Sequence, residues 1–164
     1  MSLKGGAHGL VLALLCCPAC GGPALEPACG PSSARVQRVV DGDTVELEGG
    51  ERVRYLMVDT PELGEAPECG GEQARQANAS LVEGQRVSLR YDPEVCRDDY
   101  GRLLAWVDVA DREVNAWLIE RGYACLLYIP PAGRDRAAEL ESLESAAREG
   151  LRGVWGQCEE GACP

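Results

Sequence analysis

Hydrophobic and polar positions alternate with period two over several short stretches of the chain. Between Thr44 and Glu48, Val45 and Leu47 fall on one side and Thr44, Glu46 and Glu48 on the other, the pattern of a half-buried strand. After the turn pair Gly49-Gly50, the run from Arg52 to Val58 is apolar on both sides toward its end, which reads as a more deeply buried strand folding back as a hairpin. Arg35 to Val40 precedes them as a first strand. Arg86 to Tyr91, with Val87, Leu89 and Tyr91 on one side, is a fourth, and Leu103 to Val109 a fifth. The polar, Pro-containing stretch from Asp92 to Arg102 joins these two as a loop.

Elsewhere the period lengthens to that of a helix. Ala74, Ala77 and Leu81 recur within Glu72 to Val82, with Gly70-Gly71 before and Gly84 after. Val114 to Arg121 forms a short amphipathic helix stopped by Gly122. Arg134 to Gly150 carries Ala137, Leu140, Leu143, Ala147 and Leu151 on one stripe. Trp117 and Trp155 read as residues that pack the helices. Strands, a helix, more strands and then helices make an α+β domain.

Folding the hairpin at Gly49-Gly50 returns Asp41 and Asp43, at the open end of one strand, to Asp59 and Glu62 at the open end of the next. Converging carboxylates repel unless they are solvated, protonated or share a cation, and oxygen-only donors suit calcium or magnesium. Calcium is the better choice. On these residues alone the plainer reading stays open, in which Asp-Gly-Asp is a solvated turn and Asp-Thr-Pro-Glu a strand end followed by a helix cap.

Composition narrows the chemistry further. The chain has 164 residues and one histidine, His8; its one lysine is Lys4. The start of the chain, Lys4 followed by the apolar run Leu10 to Leu15, reads as a signal segment over residues 1–20, too short to span a membrane. Once that segment is cleaved, no histidine or lysine remains. A Ser-His-Asp triad, a histidine base, a phosphohistidine and a lysine Schiff base are then all excluded. Carboxylates, arginines, tyrosines, backbone groups and metal are left.

Cys16-Cys17-Pro18-Ala19-Cys20-Gly21-Gly22 resembles a lipoprotein processing region with Cys20 as the lipid anchor. Cys16, Cys17 and plain secretion are the alternatives, and the membrane would be met only through that anchor. A zinc half-site at Cys17 and Cys20 finds no second half. Residues 21–33, rich in Gly, Pro, Ala and Ser, read as a flexible linker, residues 34–157 as the folded domain, and 158–164 as a Cys-containing tail. Cys29, Cys69, Cys96, Cys125, Cys158 and Cys163 are enough for as many as three disulfides in an exported protein. A Cys69–Cys96 bridge, clamping the segments that flank the acidic hairpin, is the structural guess.

Four motifs in order, VVDGDTVEL, RVRYLMVDTPE, DDYGRLLAWV and VNAWLIERGYACLLY, resemble the thermonuclease (staphylococcal nuclease-like) family over about residues 35 to 155. The resemblance implies a five-stranded OB-type β-barrel with three packed helices, and a calcium-dependent phosphodiesterase acting on DNA and RNA. It also implies roles for individual residues. Asp43 and Asp59 match calcium carboxylates, Thr60 a carbonyl ligand, and Asp41 an acid just behind them. Arg54 and Arg102 match the arginines that grip the scissile phosphate, and Glu62 the residue that orients or deprotonates water. Tyr100 and Tyr128 match tyrosines that contact substrate.

The chain departs from that family in two ways. Its formal net charge is -11 at pH 7, whereas nucleic-acid binders usually present a basic face. Asp99 stands where the family nuclease has lysine, and Pro130 replaces a second tyrosine. Weak, salt-sensitive affinity for long polymers, or a preference for short or single-stranded pieces, is expected. A non-catalytic OB-type module, a calcium-binding structural domain and a small-molecule phosphodiesterase are the rival readings, and Arg54, Glu62 and Arg102 together favour the nuclease. A monomer is the default. DNA against RNA, and endonucleolytic against exonucleolytic order, are left open.

Overall fold

The alternation around Gly49-Gly50 does fold into a hairpin. The computed structural model describes residues 1–2 and 29–158. The signal segment, Cys20, most of the linker and the tail beyond Cys158 lie outside the described residues. In chain order the elements are β1 (Ser33–Val39), β2 (Thr44–Leu47), β3 (Arg52–Tyr55), β4 (Val58–Asp59), α1 (Gly71–Val82), β5 (Arg86–Tyr91), β6 (Leu103–Val109), β7 (Arg112–Glu113), α2 (Val114–Glu120), β8 (Cys125–Leu126), α3 (Ala137–Glu149) and α4 (Val154–Gln157).

β1, β2 and β3 pair antiparallel in sequence, and β5 and β6 join on the other side of β1. β3 then pairs with β6 in parallel, Arg54 opposite Leu104, so the sheet closes on itself as a five-stranded barrel. Closure removes the edges that would otherwise offer unpaired backbone groups. Val36, Val45, Leu47, Val53, Tyr55, Val87, Leu89, Leu103, Ala105 and Val107 are buried together. They are the inward members of each alternating stretch, and each large one contributes about 1.5–3 kcal/mol by leaving water. The fold is the α+β OB-type barrel with packed helices that the motifs imply.

One expected strand is two. The run from Arg52 to Val58 breaks at Met57, whose φ of 59° is rare for a residue with a side chain. β3 stays in the barrel while β4 pairs with β8. Asn115, fully buried on α2, spans the break. Its amide donates to Leu56 O at 2.9 Å and to Ala105 O at 3.2 Å, and its carbonyl accepts from Val107 N at 2.9 Å. α2 packs on β6 and α3, whereas α1 lies across β1.

α3 begins at Ala137 and not at Arg134, because Gly133, at φ 72°, opens a turn in which Arg136 N donates to Gly133 O at 2.9 Å. Trp106 lies in the core; Trp117 and Trp155 are half-buried on their helices, with Trp117 5.8 Å from the Tyr123 ring. Among the described residues no helix is long and apolar enough to cross a membrane.

The disulfides correct the Cys69–Cys96 guess. Cys69 is bonded to Cys158, with Cα atoms 5.9 Å apart, and Cys96 to Cys29, with Cα atoms 5.1 Å apart. Cys69 sits just before α1, where Gly70 packs on Val154 of α4, so its partner comes from the far end of the chain. Cys29 reaches Cys96 because residues 31–32 run beside β5, Leu89 N donating to Ser32 O at 2.8 Å and Tyr91 Oη to Pro31 O at 2.8 Å. The end of the segment read as linker is thus fastened to the barrel.

Candidate active site

The acidic turn between β1 and β2 is shaped by what lies over it. A Cβ on Gly42 would come within 2.6 Å of the Thr60 side chain, so only glycine lets Thr60 close onto Asp43. Thr60 donates to Asp43 Oδ2 twice, from its backbone N and its hydroxyl, each at 2.9 Å. Thr44 Oγ1 donates to Asp43 Oδ1 at 3.0 Å. The Asp43 carboxylate is only 2% exposed, and a charge so buried needs partners of this kind.

Arg54 supplies the counter-charge. It sits on β3 opposite Thr44, forms an ion pair with Asp43 through Nη1, and through Nη2 donates to Asp59 Oδ1 at 2.7 Å. Glu46, also on β2, pairs instead with Arg38 at 2.6 Å. Asp41 accepts from Asp43 N at 3.1 Å. Burial pushes the Asp41 carboxyl above its ordinary range, opposed first by its hydrogen bond with Thr44 and then by Arg54.

Arg102 stands just before β6, the strand that pairs with β3. Asp98, four residues earlier, accepts from its Nε at 2.7 Å and from its backbone N at 2.9 Å, so Arg102 is already ion-paired within its own turn. Its Nη1 also approaches Thr44 Oγ1 at 3.5 Å. Arg54, Arg102 and Tyr100 line one cleft of about 410 Å³, whose far wall is Leu127, Ile129 and Pro130. An adjoining hollow is lined by Glu62, Tyr100, Arg102 and Glu51.

Glu62 is exposed, and its carboxylate makes no ion pair or hydrogen bond among the described residues. Its backbone is held: Glu62 N donates to Glu68 Oε2 and Glu68 N to Glu62 O, both at 2.9 Å. A Cβ on Gly71 would meet Glu62 O and Pro61 O at 2.9 Å, so the glycine at the start of α1 seats this segment. Tyr100 is 86% exposed; Tyr128 is exposed but lines neither hollow.

Two carboxylates that already share one cation, with a threonine against them, form an all-oxygen donor set that suits a hard dication. Among the described residues no three Asp, Glu, His or Cys side chains form a metal cluster, so a cation at the Asp43–Asp59 pair would need backbone oxygen such as Thr60 O as well.

Two contributors were not singled out in the sequence. Tyr55 Oη donates to Asn78 Oδ1 at 2.9 Å, and Asn78, fully buried on α1, reaches Asp41 O at 3.4 Å. Burial raises the Tyr55 hydroxyl far above its ordinary range. An Asn in a row of Ala and Ser on a buried helix face was the available signal.

The chain is 34% identical over 126 residues to the thermonuclease of Staphylococcus intermedius, covering 73% of this chain and 74% of that protein. It is 33% identical to endonuclease YncB of Bacillus subtilis, covering 73% and 60%, and 32% identical to the SPbeta prophage-derived endonuclease YokF of the same organism, covering 73% and 43%. It therefore spans less than two thirds of either Bacillus protein. Residues 52–157, from β3 to the end of α4, match the profile described as Staphylococcal nuclease homologue, and the chain belongs to that family.

Proposed function

We propose that the protein is an exported, calcium-dependent nuclease that hydrolyses phosphodiester bonds of DNA, RNA or both. The observation that carries this reading is the pair of guanidinium groups, Arg54 and Arg102, facing one cleft beside a buried oxygen cluster. The thermonuclease and endonucleases named among its relatives support it.

Calcium held by Asp43, Asp59 and the Thr60 carbonyl, with Asp41 behind them, would supply Lewis-acid polarisation of the phosphate. Each arginine presents a planar fork of N–H donors. They grip the scissile phosphate and stabilise the negative charge that gathers on its oxygens in the transition state. Glu62, open to solvent and unpaired, orients the attacking water or takes its proton. Tyr100, which lines both hollows, offers its ring and hydroxyl to the strand, and Tyr128, outside them, meets only a strand that runs past the cleft.

A non-catalytic OB-type module gains from one observation: both guanidinium groups already have carboxylate partners. A fluorescent-oligonucleotide assay at low salt separates the two. Cleavage with calcium, lost on adding EDTA and in Glu62→Gln, is expected. An oligonucleotide left intact by the wild type would favour the binding module, and cleavage that survives chelation would remove calcium from the reading. Export and anchoring through Cys20 predict a diacylglyceryl cysteine at the mature N-terminus, readable by mass spectrometry.

A further inference from the structure

The loop between β5 and β6 carries Tyr100 and Arg102 into the cleft, and its hold on the barrel is built in two parts. On one side Cys96 is bonded to Cys29, and Leu104 N donates to Cys96 O at 2.9 Å. On the other, Arg97 reaches across to the β2–β3 turn. Its Nη1 and Nη2 donate to Glu51 Oε1 and Oε2 at 3.1 and 2.8 Å, and Nη1 donates also to Gly101 O at 2.7 Å. Arg97 pairs in the backbone with Leu103, next to the Asp98 N to Arg102 O bond of 3.1 Å that closes the turn from Asp98 to Arg102.

Arg97 lines the cleft, yet it is not a free cation there. Two of its nitrogens are committed to a bidentate carboxylate contact and a carbonyl, the geometry that fixes a guanidinium most firmly. We propose that Arg97 is a positioning residue: through Glu51 and Gly101 O it sets where Asp98 can hold Arg102, and so where the Arg102 guanidinium meets substrate. The proposal rests on the nuclease reading for its catalytic consequence only. The Arg97 contribution is a matter of place, because displacing a phosphate-gripping group by about 1 Å can cost on the order of 10²-fold in rate.

The test combines kinetics with amide exchange. In Arg97→Met, kcat is expected to fall by about tenfold to a hundredfold with KM little changed. The same change made in an Arg102→Lys background should add nothing, because Arg97 acts through Arg102. Arg97→Lys, which keeps the charge but cannot make the bidentate contact, should remain impaired, and the exchanged pair Arg97→Glu with Glu51→Arg should recover part of the rate. The amide protons of Arg102 and Leu104 should exchange faster in Arg97→Met. Additive losses in the Arg102→Lys background, or unchanged exchange at those two amides, would overturn the proposal. If the wild type cleaves nothing, the nuclease reading fails and exchange still decides whether Arg97 holds the loop.

Discussion

Arg54 donates to Asp59 at 2.7 Å while its other terminal nitrogen meets Asp43, so a single guanidinium holds together two carboxylates that come from the start of β2 and the end of β4. Arg54→Met leaves those carboxylates facing one another without their cation. Activity should fall by on the order of 10²–10³-fold, and the metal-free protein should lose several kcal/mol, about 3–5, for an orphaned buried charge. Calcium should then raise the melting temperature more in the variant than in the wild type, since a ligand bound only by the folded state stabilises it by mass action. A variant whose melting ignores calcium would show that the two aspartates are not an ion site.

Glu62 is the opposite case, a carboxylate with an exposed and unpartnered head. Glu62→Gln should reduce kcat by about 10²–10⁴-fold, the usual share of a positioned base, with the chemical denaturation midpoint unmoved. A loss of rate accompanied by a loss of stability would point to a structural role.

Asn115 joins the break between β3 and β4 to β6 by three hydrogen bonds. Asn115→Leu is close in size but leaves Leu56 O and Val107 N buried without that partner. Each such group costs about 1–3 kcal/mol, so urea unfolding should show a drop of several kcal/mol. A change under ~1 kcal/mol would mean that water replaces the side chain.

Glu51 is held below its usual range first by its hydrogen bond with Arg97. A carboxyl with a lowered folded value adds stability above its unfolded pKa of about 4.3, and that stability is lost as pH falls through the folded value. The pair is partly exposed, with side chains 41% and 45% accessible, so solvent screening keeps its share small. The stability gap between wild type and Arg97→Met should be constant near neutrality and close in acid. A gap that widens on acidification would contradict this.

The Cys69–Cys158 bond closes a separation of 89 residues. Replacing both cysteines with serine should cost about 4.6 kcal/mol by the chain-entropy account, read as a lower denaturation midpoint. The effect should be largest on the segment around Glu62, which α1 supports.

The barrel strands and the three longer helices were legible because each repeats its pattern over at least one full period. The break at Met57 was not, since Tyr55, Leu56, Met57 and Val58 are all buried and a uniformly apolar run carries no mark of where it bends. β7, β8 and α4 span two to four residues, too few to show periodicity. The acidic convergence could be read from the hairpin, which is local. The partners of Cys69 and Cys96 could not, because they are brought together by tertiary packing across 89 and 67 residues. Arg97 escaped notice for a related reason: its partner Glu51 lies 46 positions away.

Arg54 stands on β3 and Arg102 leads into β6, and these strands are neighbours only where the barrel closes in parallel. Chains stalled with that seam unzipped would own both arginines and yet be unable to aim them together. Turnover should therefore report the fraction of molecules in which that seam is sealed.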